Sequence, residues 1–353
     1  METFIIAAIS VGIFFSAYSW LLFCKHKDND GSPFLQKLKH PILPFLILGF
    51  VGCLCAYFIV PNQIDALAPT SLAPVVGIFT SGILLLIGSH YISSAKILNI
   101  AFFILCLVNI FLLPQNISLT DGHLSPLAEK LILAFSWGAF VVFYPILNGI
   151  NGIVTIQSLS VCTGLMLLFA IGIFPMLDGY YSCIYIALFL SYNFFSRYPA
   201  SLKITDFDSK IMGFLVGWMG VLAAIEGDSS CFIILNMYYF YEFICAVCKK
   251  LMFHNQFKKL SGNTFYNKLA SAGISPQNIC QLTIKINLIM LILAGFQIYS
   301  PNYYTIIIIS FFMVFWITSR ITAPEENNQH LLLTGSILSL FRKNKAKPSA
   351  KNE

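Results

Sequence analysis

Apolar runs close to a membrane's width recur along almost the whole chain, separated by short polar links. A run of roughly 20 apolar residues crosses the hydrocarbon core of a bilayer as one helix. Inside that core the backbone has no water to bond with, so each run closes its own hydrogen bonds as a helix. Eleven such segments are predicted, at about 3–23, 43–60, 71–88, 97–113, 131–147, 156–176, 179–196, 211–225, 229–248, 284–299 and 304–319. The eighth is the shortest for a crossing. Of the 353 residues 58% are hydrophobic and 10% charged, about half the charge of an ordinary soluble domain. The expected fold is all-α, a polytopic membrane helix bundle.

The first run is not a signal peptide by pattern, because Glu2 is the only charge before Lys25 and no basic n-region precedes the apolar core. It reads as a permanent anchor. Cytoplasmic loops keep an excess of Lys and Arg, and with the N-terminus outside only Lys130 of the 21 basic residues falls on the outer side. Asp65, Asp121, Glu129, Asp178, Glu226 and Asp228 fall there too. The expected topology is N-out and C-in. Residues 1–323 form the membrane domain, and 324–353 form a polar, basic, cytoplasmic tail too polar to fold alone.

Three cytoplasmic segments can hold polar chemistry: 24–42, 197–210 and 249–283. The last contains "FYNKLASAGI", a short amphipathic helix bounded by Gly273 and Pro276. Most of the ten cysteines lie in or beside apolar runs, where Cys packs as a small hydrophobe. Cys245-x-x-Cys248 lacks the second pair that a zinc site needs. No internal repeat marks an inverted-repeat transporter.

Charges inside spans usually mark function. Glu242 lies about two helical turns inside Lys249, open to a functional role or to structural hydrogen bonding. Asp206 and Asp208 stand two apart at the start of a span, with Lys203 and Lys210 beside them. Such a group can hold magnesium and phosphate at a helix start, or the acids can simply cap the helix. "NGING", residues 148–152, places two Asn-Gly turns between apolar runs.

Four stretches, in order, resemble the blocks of the polyprenyl-phosphate N-acetylhexosamine-1-phosphate transferases, the family that includes phospho-N-acetylmuramoyl-pentapeptide transferase. They are "LLLIGSHYISSAKILNI", "LNGINGIVT", "PASLKITDFDSKIMGFLVG" and "EFICAVCKKLMFHNQFKKLSGNTFYNKLASAGIS", spread over residues 80–285. The resemblance implies a multi-helix fold of this length and the transfer of a sugar phosphate from a UDP-sugar to polyprenyl phosphate, assisted by Mg2+. It places the protein in a bacterial inner membrane, with no nucleic acid among its partners.

The family's carboxylates are largely replaced here. Gly88-Ser89 stands for a paired Asp, Asn148 and Asn151 for the two Asp of the second block, and Thr264, Tyr266 and Asn267 for three His. Asp208 and Glu242 survive. A neutral amide holds magnesium far less tightly than a carboxylate, so the leading expectation is lost or weakened catalysis, with a lipid-binding or accessory role. In that reading Asp208, Asn148 and Asn151 are vestigial. In the alternative, an active transferase, Asp206 and Asp208 hold the ion while Lys203, Lys210, Glu242 and Lys258 bind substrate. A membrane transporter is the third reading. Asp178 in "MLDGYYS" and Asp228 in "IEGDSS" mimic acidic motifs, but the expected topology puts both on the wrong side for a cytoplasmic UDP-sugar.

Overall fold

The computed structural model describes residues 2–27, 42–59, 72–91, 94–113, 124–172, 176–225, 229–252, 264–299 and 303–322. Its helices are α1 (Glu2–Lys27), α2 (Leu43–Ile59), α3 (Leu72–Tyr91), α4 (Ala95–Phe111), α5 (Pro126–Phe143), α6 (Ile153–Ala170) and α7 (Met176–Ser196). They continue with α8 (Asp206–Ile225), α9 (Ser229–Leu235), α10 (Met237–Met252), α11 (Phe265–Ser271), α12 (Pro276–Gln297) and α13 (Tyr303–Thr322). A short 3-10 helix, Tyr144–Leu147, extends α5. Among the described residues there is no strand.

The chain is an all-helical, multi-pass membrane protein. A helix stands over every predicted apolar segment. Among the described residues six are long and apolar enough to cross a membrane: α1, α5 with its extension, α6, α8, α12 and α13. Counting α9 and α10 as one bent span makes seven. Shorter apolar stretches run through α2, α3 and α4. Helix α7 is 21 residues long but rich in Tyr and Ser, and its Tyr180, Tyr181, Tyr185 and Tyr192 are buried. It packs between α6, α1 and α2, a position that needs packing surface more than lipid solubility.

Helix α8 is the centre of the bundle, with 83% of its span buried and α5, α6 and α9 against it. In a bilayer there is little hydrophobic drive between helices, so close packing depends on small residues. Gly213 and Gly217, one turn apart, supply them. A Cβ on Gly213 would come within 2.7 Å of the Tyr144 side chain, and one on Gly217 within 2.5 Å of the Trp137 ring. Trp137 uses the room to stack on Phe214 at a centroid distance of 4.7 Å and to donate from Nε1 to the Phe214 carbonyl at 3.1 Å.

Polar groups on apolar helices find each other across interfaces. Asn109 of α4 donates to the Ser81 hydroxyl of α3 at 2.8 Å. Lys130, the basic residue that the charge pattern leaves outside, donates from Nζ to the Leu113 carbonyl at 2.7 Å and lies 5.9 Å from the Phe111 ring centroid. A cation is stabilised at the C-terminal end of a helix, where carbonyls are left over. Lys130 closes the end of α4.

The structure departs from the sequence expectation at 229–248. That run is one apolar stretch by composition, yet it bends by 69° between α9 and α10. The side chain of Asn236, at the bend, donates back to the Phe232 carbonyl at 3.1 Å. Gln157 of α6 donates from Nε2 to the Leu235 carbonyl at 3.2 Å. A side-chain amide thus meets a carbonyl at the helix break.

Candidate functional site

One end of the bundle gathers the polar residues that the sequence singled out. It consists of the turn at 148–152, the link from α7 to α8, the first turn of α4, and α11 with the start of α12. Each part has a local cause. Gly152 sits at φ +97 as the residue before α6, a conformation glycine adopts at little cost. Thr155 in the first turn of α6 donates to the Asn193 side chain of α7 at 2.9 Å, tying the two helix ends together.

Helix α8 begins with a reciprocal capping box. Thr205 donates to Asp208 Oδ2 from both its backbone N–H, at 2.9 Å, and its hydroxyl, at 2.7 Å. Asp208 returns its own N–H to the Thr205 hydroxyl at 3.1 Å. Asp208 is fully buried and serves the helix start. Asp206 is exposed, and its carboxylate accepts from the Asn148 amide at 3.1 Å; the same amide also donates to the Ile204 carbonyl at 3.0 Å. The turn at 148–152 is therefore fastened to the entry of α8.

Lys210, one turn after Asp206, is buried and donates to Asn99 Oδ1 of α4 at 2.6 Å. Lys203 is exposed. Asn151 contributes its backbone carbonyl, which lies 3.5 Å from the Cys280 thiol of α12. Gly88 and Ser89 lie in the last turn of α3. Lys258, Asp228 and the polar tail lie outside the described residues.

Glu242 is fully buried in α10. One carboxylate oxygen accepts the Tyr238 hydroxyl at 3.1 Å; the other accepts the backbone N–H of Phe265 at 2.9 Å. Phe265 opens α11, so the acid fills the role of a helix cap from 23 residues away. Helix α11 is the short helix that "FYNKLASAGI" predicts, and it ends with Gly273 at φ +84. There the Ile274 N–H reaches the Leu269 carbonyl at 3.1 Å and the Gly273 N–H the Ala270 carbonyl at 3.0 Å, a Schellman closure.

Anchored in this way, α11 drives Tyr266 onto the Asn-Gly turn. The ring lies where a Cβ on Gly149 would stand, and the phenol donates to the Ile146 carbonyl. Burial pushes the Tyr266 phenol above its ordinary range, and the Glu242 and Asp206 carboxylates push in the same direction. Tyr266 therefore remains a neutral donor. Its side chain covers the turn.

The structure brings Asn148, Asp206 and Tyr266 together and turns Asp208 and Glu242 inward to hold helix ends. Among the described residues no group of three His, Cys, Asp or Glu side chains is placed to hold a metal ion. Asp208 faces Thr205 and Asp206 faces an amide, so the donors do not converge on one point. The residues described here do not fit a magnesium cage.

Away from this end, the bend between α9 and α10 opens a wholly apolar groove of roughly 460 Å³ against α13. Ile233, Met237, Phe240 and Ile244 form one wall; Ile307, Ile308, Phe311 and Phe312 form the other.

No family model and no curated protein matches the chain. The resemblance drawn from the four sequence blocks therefore rests on those motifs. Thr205 and Asn99 escape a reading of those blocks. Thr205 carries the signal of a capping box, Thr-x-x-Asp. Asn99 carries none, because its partner Lys210 is 111 residues away.

Proposed function

We propose that the chain is an eleven-span, N-out and C-in protein of the bacterial inner membrane, built like the polyprenyl-phosphate sugar-1-phosphate transferases but with phosphoryl transfer lost or greatly weakened. It binds a polyprenyl lipid or assists a partner in envelope glycan synthesis. The observation that carries this reading is Tyr266. Its side chain lies on the turn whose two Asp positions are Asn148 and Asn151, where transfer chemistry would require charge and room. The commitment of Asp208 and Glu242 to helix ends supports the same reading. The groove between α10 and α13 supports the lipid half, since its lining is apolar throughout and suits an isoprenoid chain.

An active transferase with a rearranged site is the second reading, favoured by the exposed Asp206 and Lys203 at the same end. One experiment separates the two. Purified protein receives magnesium, a photoreactive polyprenyl phosphate and a panel of UDP-N-acetylhexosamines, and both UMP release and crosslinking are read. Crosslinking at the groove, competed by unlabelled lipid and without UMP, is the expected result. UMP release that disappears in Asp206→Asn or Asp208→Asn overturns it. Asp206→Asn is the cleaner control, because Asp208→Asn also weakens the start of α8.

A further inference from the structure

The bend between α9 and α10 collects buried oxygen atoms that no protein group satisfies. Gln157 Oε1, Asn236 Oδ1 and Asn287 Oδ1 have no hydrogen-bond partner, nor has Asn287 Nδ2. Gln157 and Asn236 are fully buried, and Asn287 is 4% exposed. A buried amide oxygen left unmet loses its hydration with nothing in return. Three of them is a large debt for one small region.

The packing register puts them at one level. Gln157 reaches the Leu235 carbonyl directly, at 3.2 Å, and Asn236 is the next residue in the chain. Along α12, Thr283 is a hydrogen-bond neighbour of Tyr238, and the Ala294 carbonyl lies 3.8 Å from the Cys231 thiol. Asn287, one turn beyond Thr283 towards Ala294, therefore falls opposite Leu235 and Asn236. The link from Cys280 to the Asn151 carbonyl fixes α6 against α12 independently. It places Asn287 level with Gln157.

The unmet set is rich in acceptors: three amide oxygens against a single amide donor, with the C-terminal end of α9 beside them. Broken membrane helices coordinate monovalent cations with such oxygens, the negative end of a half-helix dipole adding to the attraction. A buried carboxyl group, Glu242, stands one turn past Tyr238 and accepts its hydroxyl, a further oxygen-bearing side chain along α10.

We propose that Gln157, Asn236 and Asn287, with the Leu235 carbonyl, form a site for a dehydrated monovalent cation, sodium or potassium, at the bend. The site uses amide and carbonyl oxygens and is separate from the polar end of the bundle and from any divalent-ion chemistry there. Its occupancy holds α10 at its angle.

Thermal stability of the full-length protein in detergent tests this, measured in sodium, potassium or N-methyl-D-glucamine chloride at equal ionic strength. Bound ion stabilises by mass action, so the expected result is a melting temperature that rises and saturates with sodium or potassium and stays flat with N-methyl-D-glucamine. The shift should vanish in Asn287→Leu. Asn287→Asp, which adds a full charge to the same place, should enlarge it and lower the half-saturating concentration. Identical melting in all three salts for the native protein overturns the proposal and assigns these oxygens to buried water. An ion-dependent shift that persists undiminished in Asn287→Leu overturns it as well.

Discussion

Glu242→Ala isolates what a membrane-buried carboxylate does here. The native side chain accepts the Phe265 N–H at 2.9 Å and the Tyr238 hydroxyl at 3.1 Å, both in buried surroundings. Removing the acceptor strands two donors, each costing about 1–3 kcal/mol when buried and unmet, so the variant loses about 2–6 kcal/mol. Most of that loss falls on α11, because the Phe265 N–H opens that helix. Glu242→Gln keeps one oxygen for Phe265 and should lose about 1–2 kcal/mol, the difference between a charged and a neutral acceptor. Amide hydrogen exchange over residues 264–271 reads the effect locally, because opening of α11 is a local event. Exchange there should accelerate by about 30-fold or more in Glu242→Ala, taking tenfold per 1.4 kcal/mol, and by much less in Glu242→Gln. Native-like exchange of α11 in Glu242→Ala would refute the reasoning. The carboxylate would then need a role other than holding this helix.

Gly149→Ala should displace the Tyr266 ring and cost about 1–3 kcal/mol of overpacking, read as faster maleimide labelling of Cys280 beside the same turn. Thr205→Ala should lower stability by about 0.5–2 kcal/mol through loss of the cap, while Thr205→Ser stays near native in the same melting assay. Gly217→Leu should separate α8 from α5 at a cost of about 1–3 kcal/mol or more, visible as a change in Trp137 and Trp218 fluorescence.

Hydropathy made the helices legible because lipid-crossing segments must be apolar along their whole length. "FYNKLASAGI" was legible for another reason: Gly273 and Pro276 mark the end of one helix and the start of the next. The capping of α8 was readable from Asp206 and Asp208, although Asp208 performs it with Thr205 while Asp206 turns to Asn148. The bend at Asn236 was not legible. A single amide among apolar residues scarcely moves a windowed average, and the groups that meet the break, such as Gln157, lie on another helix. Glu242 was conspicuous in the sequence, but its partner Phe265 is a backbone N–H, which every residue except proline carries. Tyr266 could be aligned against a histidine position without any sign that its ring would cover Gly149.

The bend has a consequence for how the protein is made. The translocon reads 229–248 as one continuous apolar segment and passes it to the lipid as a unit. Broken backbone facing lipid costs several kcal/mol per unmet group, and the walls against which α9 and α10 bend include α12 and α13, which are synthesised later. Gln157 of α6, made earlier, meets the break at the 69° bend, but the wall that completes the groove, α13, comes only after the segment itself. The groove against α13 is a product of assembly, absent from the nascent chain until α13 itself has been made.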